Sequence, residues 1–109
     1  MELLKIEGAR SHGVVGEEAK QLLRDCLGQY GRGNLDALYD LGVAYSTGSH
    51  GVGCDLVEAH KWFNIAAAKG HEEAAMCRAD ISEEMTAREI ATAQKEARRW
   101  LAEDKRFAA

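Results

Sequence analysis

Four histidines (His12, His50, His60, His71) and three cysteines (Cys26, Cys54, Cys77) are the side chains of this 109-residue chain best suited to metal or nucleophilic chemistry. His50 and Cys54 flank a glycine-rich stretch, Gly48-Ser49-His50-Gly51-Val52-Gly53-Cys54, and His60 follows shortly after it. Nitrogen and sulfur donors of this kind suit a zinc-type site when they converge. No Cys-x-x-Cys pair or other standard ligand spacing occurs. Ser, His and Asp are present without a nucleophile elbow, and neither Gly-x-Gly-x-x-Gly nor a Walker pattern is there to cradle phosphate. The sequence therefore points to no catalytic residue, no metal and no cofactor, and a non-enzyme is expected. A small metal-binding protein or enzyme using His50, Cys54 and His60 is the alternative reading. Cys26, set among apolar residues, reads as a small buried hydrophobe, whereas Cys54 reads as exposed.

Carboxylates form a second pattern. The formal net charge is −4, but it is unevenly spread. Residues 1–33 sum to zero, residues 34–86 carry three basic and nine acidic side chains, and residues 87–109 carry six basic and four acidic. An acidic middle disfavours nucleic acid, whose phosphates need a basic stripe. It suits a basic partner through charge steering.

The length corresponds to a single domain over 1–109. No apolar run approaches the roughly 18–20 residues that span a bilayer, so no membrane partner is expected. The start, Met1-Glu2-Leu3-Leu4-Lys5-Ile6-Glu7, lacks the pattern of a signal peptide, and a cytoplasmic location is expected.

Helices must position whatever site exists. In residues 55–70, Ala59, Trp62, Phe63, Ala66 and Ala67 recur with the spacing of one helical face. Asp55 stands at the N-cap with Glu58 at the capping-box position, and Gly70 ends the run. Residues 34–47 place Ala37, Leu38, Leu41, Gly42 and Tyr45 on one side, between Asn34 as N-cap and Gly48 as stop. Val52, in the intervening glycine turn, is expected to tuck into the core. Helices are also expected over 16–30, over 71–85 and from Ala87 to about Glu103, the last behind a Thr86/Glu89 capping box. A short helix is expected around Glu2–Arg10, and residues 104–109 read as frayed. Strand alternation is absent.

These helices repeat. Gly33, Ala37 and Asp40 recur as Gly70, Ala74 and Cys77, 37 residues on. Ala59 and Trp62 recur as Ala97 and Trp100, and Ser11-His12-Gly13-Val14 recurs as Ser49-His50-Gly51-Val52, both 38 residues on. Three helix-turn-helix units result, at about 1–32, 33–69 and 70–103. Each exposes an apolar face that only a neighbour can cover, which predicts an all-α short α-solenoid. An uncovered end unit also allows a homo-oligomer.

The central unit resembles the Sel-one-like repeat, a relative of the tetratricopeptide repeat. The residues that carry the resemblance are Ala37, Tyr39, Leu41-Gly42, Tyr45, Gly48, Gly51-Val52, Asp55, Ala59, Trp62, Ala66-Ala67, Gly70 and Ala74. Residues 85–94 are similar to the closing helix of small bacterial proteins with such repeats. Three features depart from the family pattern: one extra residue around Ser49-His50, Gly53 in place of Pro, and Arg78 in place of a core Leu. Gly42 and Ala79 stand at equivalent places, where helices are expected to cross closely. The resemblance implies a non-catalytic protein-protein interaction module whose first helices line a concave surface. The residues placed there are Asp36, Tyr39, Asp40, Val43 and Thr47, with Glu73, Cys77 and Asp80 (and Glu84) one repeat later. Such a groove suits a protein or peptide partner, basic or amphipathic in character.

Overall fold

Apolar spacing and side-chain caps set where the helices begin and end. The computed structural model describes residues 16–104, and among them it contains five α-helices and no strand. They are α1 (Glu17–Gly31), α2 (Asp36–Thr47), α3 (Leu56–Ala68), α4 (Glu72–Ser82) and α5 (Ala87–Glu103). The expected helix around Glu2–Arg10 and the first Ser-His-Gly-Val turn lie outside the described residues.

The helix α3 is the hub: it packs against α2, α4 and α5, while α1 packs on α2. Ala59, Trp62, Phe63 and Ala66 are buried, as their spacing predicts, and so are His60 and Ile65 on its other flank. Only Ala68 in this helix is exposed. Burying a side chain such as Phe63 or Ile65 contributes about 1.5–3 kcal/mol each. Residues related by the repeat are buried alike: Ala37 and Ala74, 37 apart, are inaccessible, as are Ala59 and Ala97, 38 apart.

Caps follow the expected residues with two changes. Asn34 is not the N-cap of α2, since Leu35 takes that place without a side-chain cap and Asn34 Oδ1 accepts the Asp36 N–H at 3.1 Å instead. The capping box expected at α3 is half formed. Thr86 and Glu89 form a full capping box at α5. At α3, Asp55 accepts the Glu58 N–H at 3.1 Å, but Glu58 does not reach back. The Asp55 N–H is already bonded to the Tyr45 carbonyl at 2.9 Å. Glu58 instead accepts the indole N–H of Trp62 at 3.1 Å and pairs with Lys61 at 3.0 Å. A buried indole needs an acceptor, and one turn upstream is where a helix supplies it.

The glycine turn bends back on α1. Gly48 ends α2 with φ 75°, and Gly51 has φ 80°. A Cβ on Gly51 would lie 2.5 Å from Cβ of Glu18 in α1. His50 takes φ 60°, a left-handed conformation rare outside glycine. Val52 is buried against Ala19 and Ala44, as expected.

Three expectations for the last third are corrected. Asp104 is not frayed: it is 7% exposed, accepts a hydrogen bond from the Tyr30 hydroxyl and lies 4.0 Å from Lys69. Tyr30, Trp100 and Trp62 form a chain of aromatic contacts at 5.7 and 5.6 Å, which ties α1 and α3 to the end of α5. Ala79 does not match Gly42. A Cβ on Gly42 would lie 2.4 Å from the Phe63 ring, whereas Ala79 faces solvent. The reason is that α4 turns Arg78, not Ala79, towards α3, where Arg78 donates to Asn64 at 2.7 Å. Arg78 and Asn64 thus form a half-buried polar pair between the two helices. Finally, α4 ends at Ser82, so Glu84 lies in the turn after it.

His60 is 2% exposed. The Ser82 hydroxyl donates to the Arg78 carbonyl at 2.7 Å, so it accepts from the Nε2–H of His60 at 3.1 Å. Nδ1 then carries a buried lone pair with no partner. Burial, and next the charge of Arg78, push the His60 pKa below the usual histidine value.

Two predictions follow from this packing. Gly42→Ala gains about 1 kcal/mol of helix propensity but drives a methyl into a fully packed ring, costing about 1–3 kcal/mol. The expected outcome is a lower urea midpoint with an unchanged slope. For His60, the unfolded chain binds a proton that the folded chain resists, so stability falls as pH drops below about 6.5. The slope is at most about 1.4 kcal/mol per pH unit. Urea midpoints measured from neutral pH downward are expected to decline in the wild type, with the decline reduced in His60→Leu.

Candidate functional site

The exposed side of α2 is set by what its other side buries. Ala37, Leu38, Leu41, Gly42 and Ala44 face the core, which leaves Asp36, Asp40 and Thr47 exposed and Val43 and Tyr39 half-buried. On α4 only Ala74 is fully buried, and Glu72, Glu73, Met76, Ala79 and Asp80 face solvent. The two helices touch each other, through Asp36 with His71 and through Tyr39 with Cys77. Asp36, Asp40, Glu73 and Asp80 therefore lie on the exposed surfaces of two adjoining helices. Neither helix carries a lysine, and their one arginine, Arg78, is tied to Asn64.

A polar and aromatic seam holds α2 against α4. His71 caps α4, its Nδ1 accepting the Ala74 N–H at 3.1 Å. The ring's Nε2 must then carry the proton, and it donates to Asp36 Oδ1 at 2.8 Å. The Asp36 side chain remains 75% exposed. The same imidazole stacks on Tyr39, with centroids 4.6 Å apart and planes 12° apart. Tyr39 also meets Phe63 at 5.8 Å, and its hydroxyl lies 3.9 Å from Cys77 Sγ. The Cys77 contact, followed by partial burial and the charges of Cys77, Glu73 and Asp40, raises the Tyr39 pKa. A shallow depression of about 370 Å³ opens beside the seam, lined by Leu35, Asp36, Gly70, His71, Glu72 and Glu73.

The structure thus brings Asp36, Tyr39, Glu73 and Cys77 together at one end of α2. Cys77 sits half-buried in the seam rather than on an open surface. Asp40 and Asp80 lie further along their helices. Val43 packs partly into the core, and its carbonyl accepts from the Thr47 hydroxyl, which also bonds to Ser49. His71 was the residue missed as a member of this face. The signal for it was the 37-residue spacing, which maps Asn34, the N-cap expected from the sequence, onto His71.

His50, Cys54 and His60 are not brought together. His50 bonds to Ser49, the Cys54 thiol points at the Ser46 carbonyl, and His60 is buried against Ser82. Among the described residues, no group of three His, Cys, Asp or Glu side chains is arranged to hold a metal ion. Cys26 is buried, and burial, then the charges of Asp40 and Asp25, raise its pKa. Among the described residues, no helix is long and apolar enough to cross a membrane. No family model matches this chain, and neither a curated protein nor a solved structure matches it.

The double role of His71 separates two variants. His71→Ala removes the cap and the bond to Asp36 and is expected to cost about 1–2 kcal/mol. His71→Asn keeps a capping oxygen and loses only the stacking and the Asp36 contact. Thermal unfolding is expected to rank them wild type, then His71→Asn, then His71→Ala.

Proposed function

We propose that this chain is a non-catalytic protein-interaction module, a short α-solenoid of the Sel-one-like kind, that binds a basic protein or peptide across α2 and α4. The observation that carries this reading is the charge of that face: four exposed carboxylates, Asp36, Asp40, Glu73 and Asp80, with no exposed cation on either helix. Tyr39 and Val43 lie half-buried beside them and add apolar area. Lysine and arginine side chains suit such a face, since their stems cover apolar surface while their heads meet carboxylates. The equal burial of Ala37 and Ala74, and of Ala59 and Ala97, supports the repeat reading. The seam of Asp36, His71 and Tyr39 fixes the spacing of the two helices, which a rigid docking surface requires.

The test is a titration of isotope-labelled protein with a lysine-rich amphipathic peptide. Amide shifts are expected on α2 and α4, weakening as salt rises. Asp36→Lys with Asp40→Lys is expected to weaken binding about tenfold or more. Shifts spread over other helices, or an affinity indifferent to the double substitution, would sink the reading.

A further inference from the structure

The outer side of α5 is the counterpart of the acidic face. Arg88, Ala91, Lys95, Arg98, Arg99 and Ala102 are all exposed. At 3.6 residues per turn they fall within an arc of about 100°, and no acidic residue of α5 lies inside it. Glu89, Glu96 and Glu103 run along one flank instead. None of the four cations is in an ion pair with a described residue. The opposite side of α5 is committed to the core, with Ala93 and Ala97 buried against α3. With α5 fixed on α3 in this way, its cations cannot swing round to the carboxylates of α2 and α4 in the same molecule.

We propose that the chain associates head to tail, the basic side of α5 in one copy docking on the acidic side of α2 and α4 in the next. This rests on reading α2 and α4 as the recognition face, and it names one occupant for that face: a second copy. Charge complementarity selects that occupant. Four cations meet Asp36, Asp40, Glu73 and Asp80, and every copy carries both surfaces. Dimensions agree as well: Arg88 to Arg99 spans about 16 Å of helix, and Asp36 to Thr47 spans the same. Met76 is 66% exposed on α4, and Ala91 and Ala102 leave low ground between the cations for its thioether.

Two different patches meet, so the contact is heterologous and adds copies rather than closing on a pair. One helix face is smaller than the roughly 800 Å² per partner of a standard interface. The association is therefore weak and driven by charge.

Light scattering over a concentration series reads it directly. At about 0.01 M ionic strength the mean mass is expected to rise with concentration, and at about 1 M to return to that of a monomer. Lys95→Glu with Arg99→Glu is expected to weaken association about tenfold or more, and Asp36→Lys with Asp40→Lys likewise. Mixing the two variants restores association, because each supplies the surface that the other lacks. Circular dichroism checks that both keep their helices. A monomer at every concentration in low salt overturns the proposal. So does association that survives reversal of either face or high salt. The α5 variant keeps its acidic face and so retains the lysine-rich peptide. A wild type that stays monomeric in low salt yet binds the peptide defeats this inference alone; failure of the peptide to bind the wild type defeats the functional reading.

Discussion

The burial of α3 on nearly every side is the constraint on which the rest of the structure depends. A helix whose only exposed residue is Ala68 cannot be stable as half of a lone hairpin. It needs α2 over Phe63, α4 over Asn64 and Ser82's partner His60, and α5 over Trp62. Helices of this length are marginal in water by themselves. Their stability comes from this shared surface. Burial also dictates the polar chemistry of the hub. The Trp62 indole takes Glu58, the His60 Nε2–H takes Ser82, and the Asp55 N–H takes the Tyr45 carbonyl. Each would otherwise be a desolvated donor without a partner.

The candidate face inherits its geometry from the same hub. Phe63 fills the space that Gly42 leaves and supports Tyr39, Tyr39 supports the His71 ring, and the ring orients Asp36. A core contact is thereby converted, in three steps, into the placement of a surface carboxylate. His71 is the link with two duties, because one nitrogen ends the α4 backbone and the other reaches α2.

Much of the architecture was legible in the sequence. Where the apolar residues repeat at helical spacing, as in Ala59, Trp62, Phe63 and Ala66, the helix and its buried side follow directly. Local capping signals were equally readable: Thr86 with Glu89, Asp55, and Gly48 act where their types predict. What failed was inference by repeat alignment alone. Equating Ala79 with Gly42 assumed that α4 presents the same side as α2, but Arg78 found a hydrogen-bond acceptor in Asn64 and turned that side outward. A pairing with a residue on another helix leaves no trace in local spacing. The burial of Asp104 is of the same kind, since its partner Tyr30 is 74 positions away. At the face itself, the acidic character was visible as composition. The seam of Tyr39, His71 and Cys77 was not, because it is formed by side chains contributed across the junction of two helices.

The two surfaces differ in how firmly they are held. The helix α5 has 17 residues, a full capping box and an aromatic anchor in Trp100, so its basic side is carried on a rigid element. By contrast α4 has 11 residues and one fully buried side chain, and polar contacts do more of the work of holding it. Its N-terminus hangs on His71, its middle on Arg78 and Asn64, and its last turn on Ser82 and His60. Segments with few buried apolar contacts open at lower free energy than the core. Under the proposed reading, a partner that bridged α2 and α4 would stabilise the helix least secured by burial. Occupancy of the face and order in α4 would then be linked, with the stacked imidazole of His71 at the junction of the two helices.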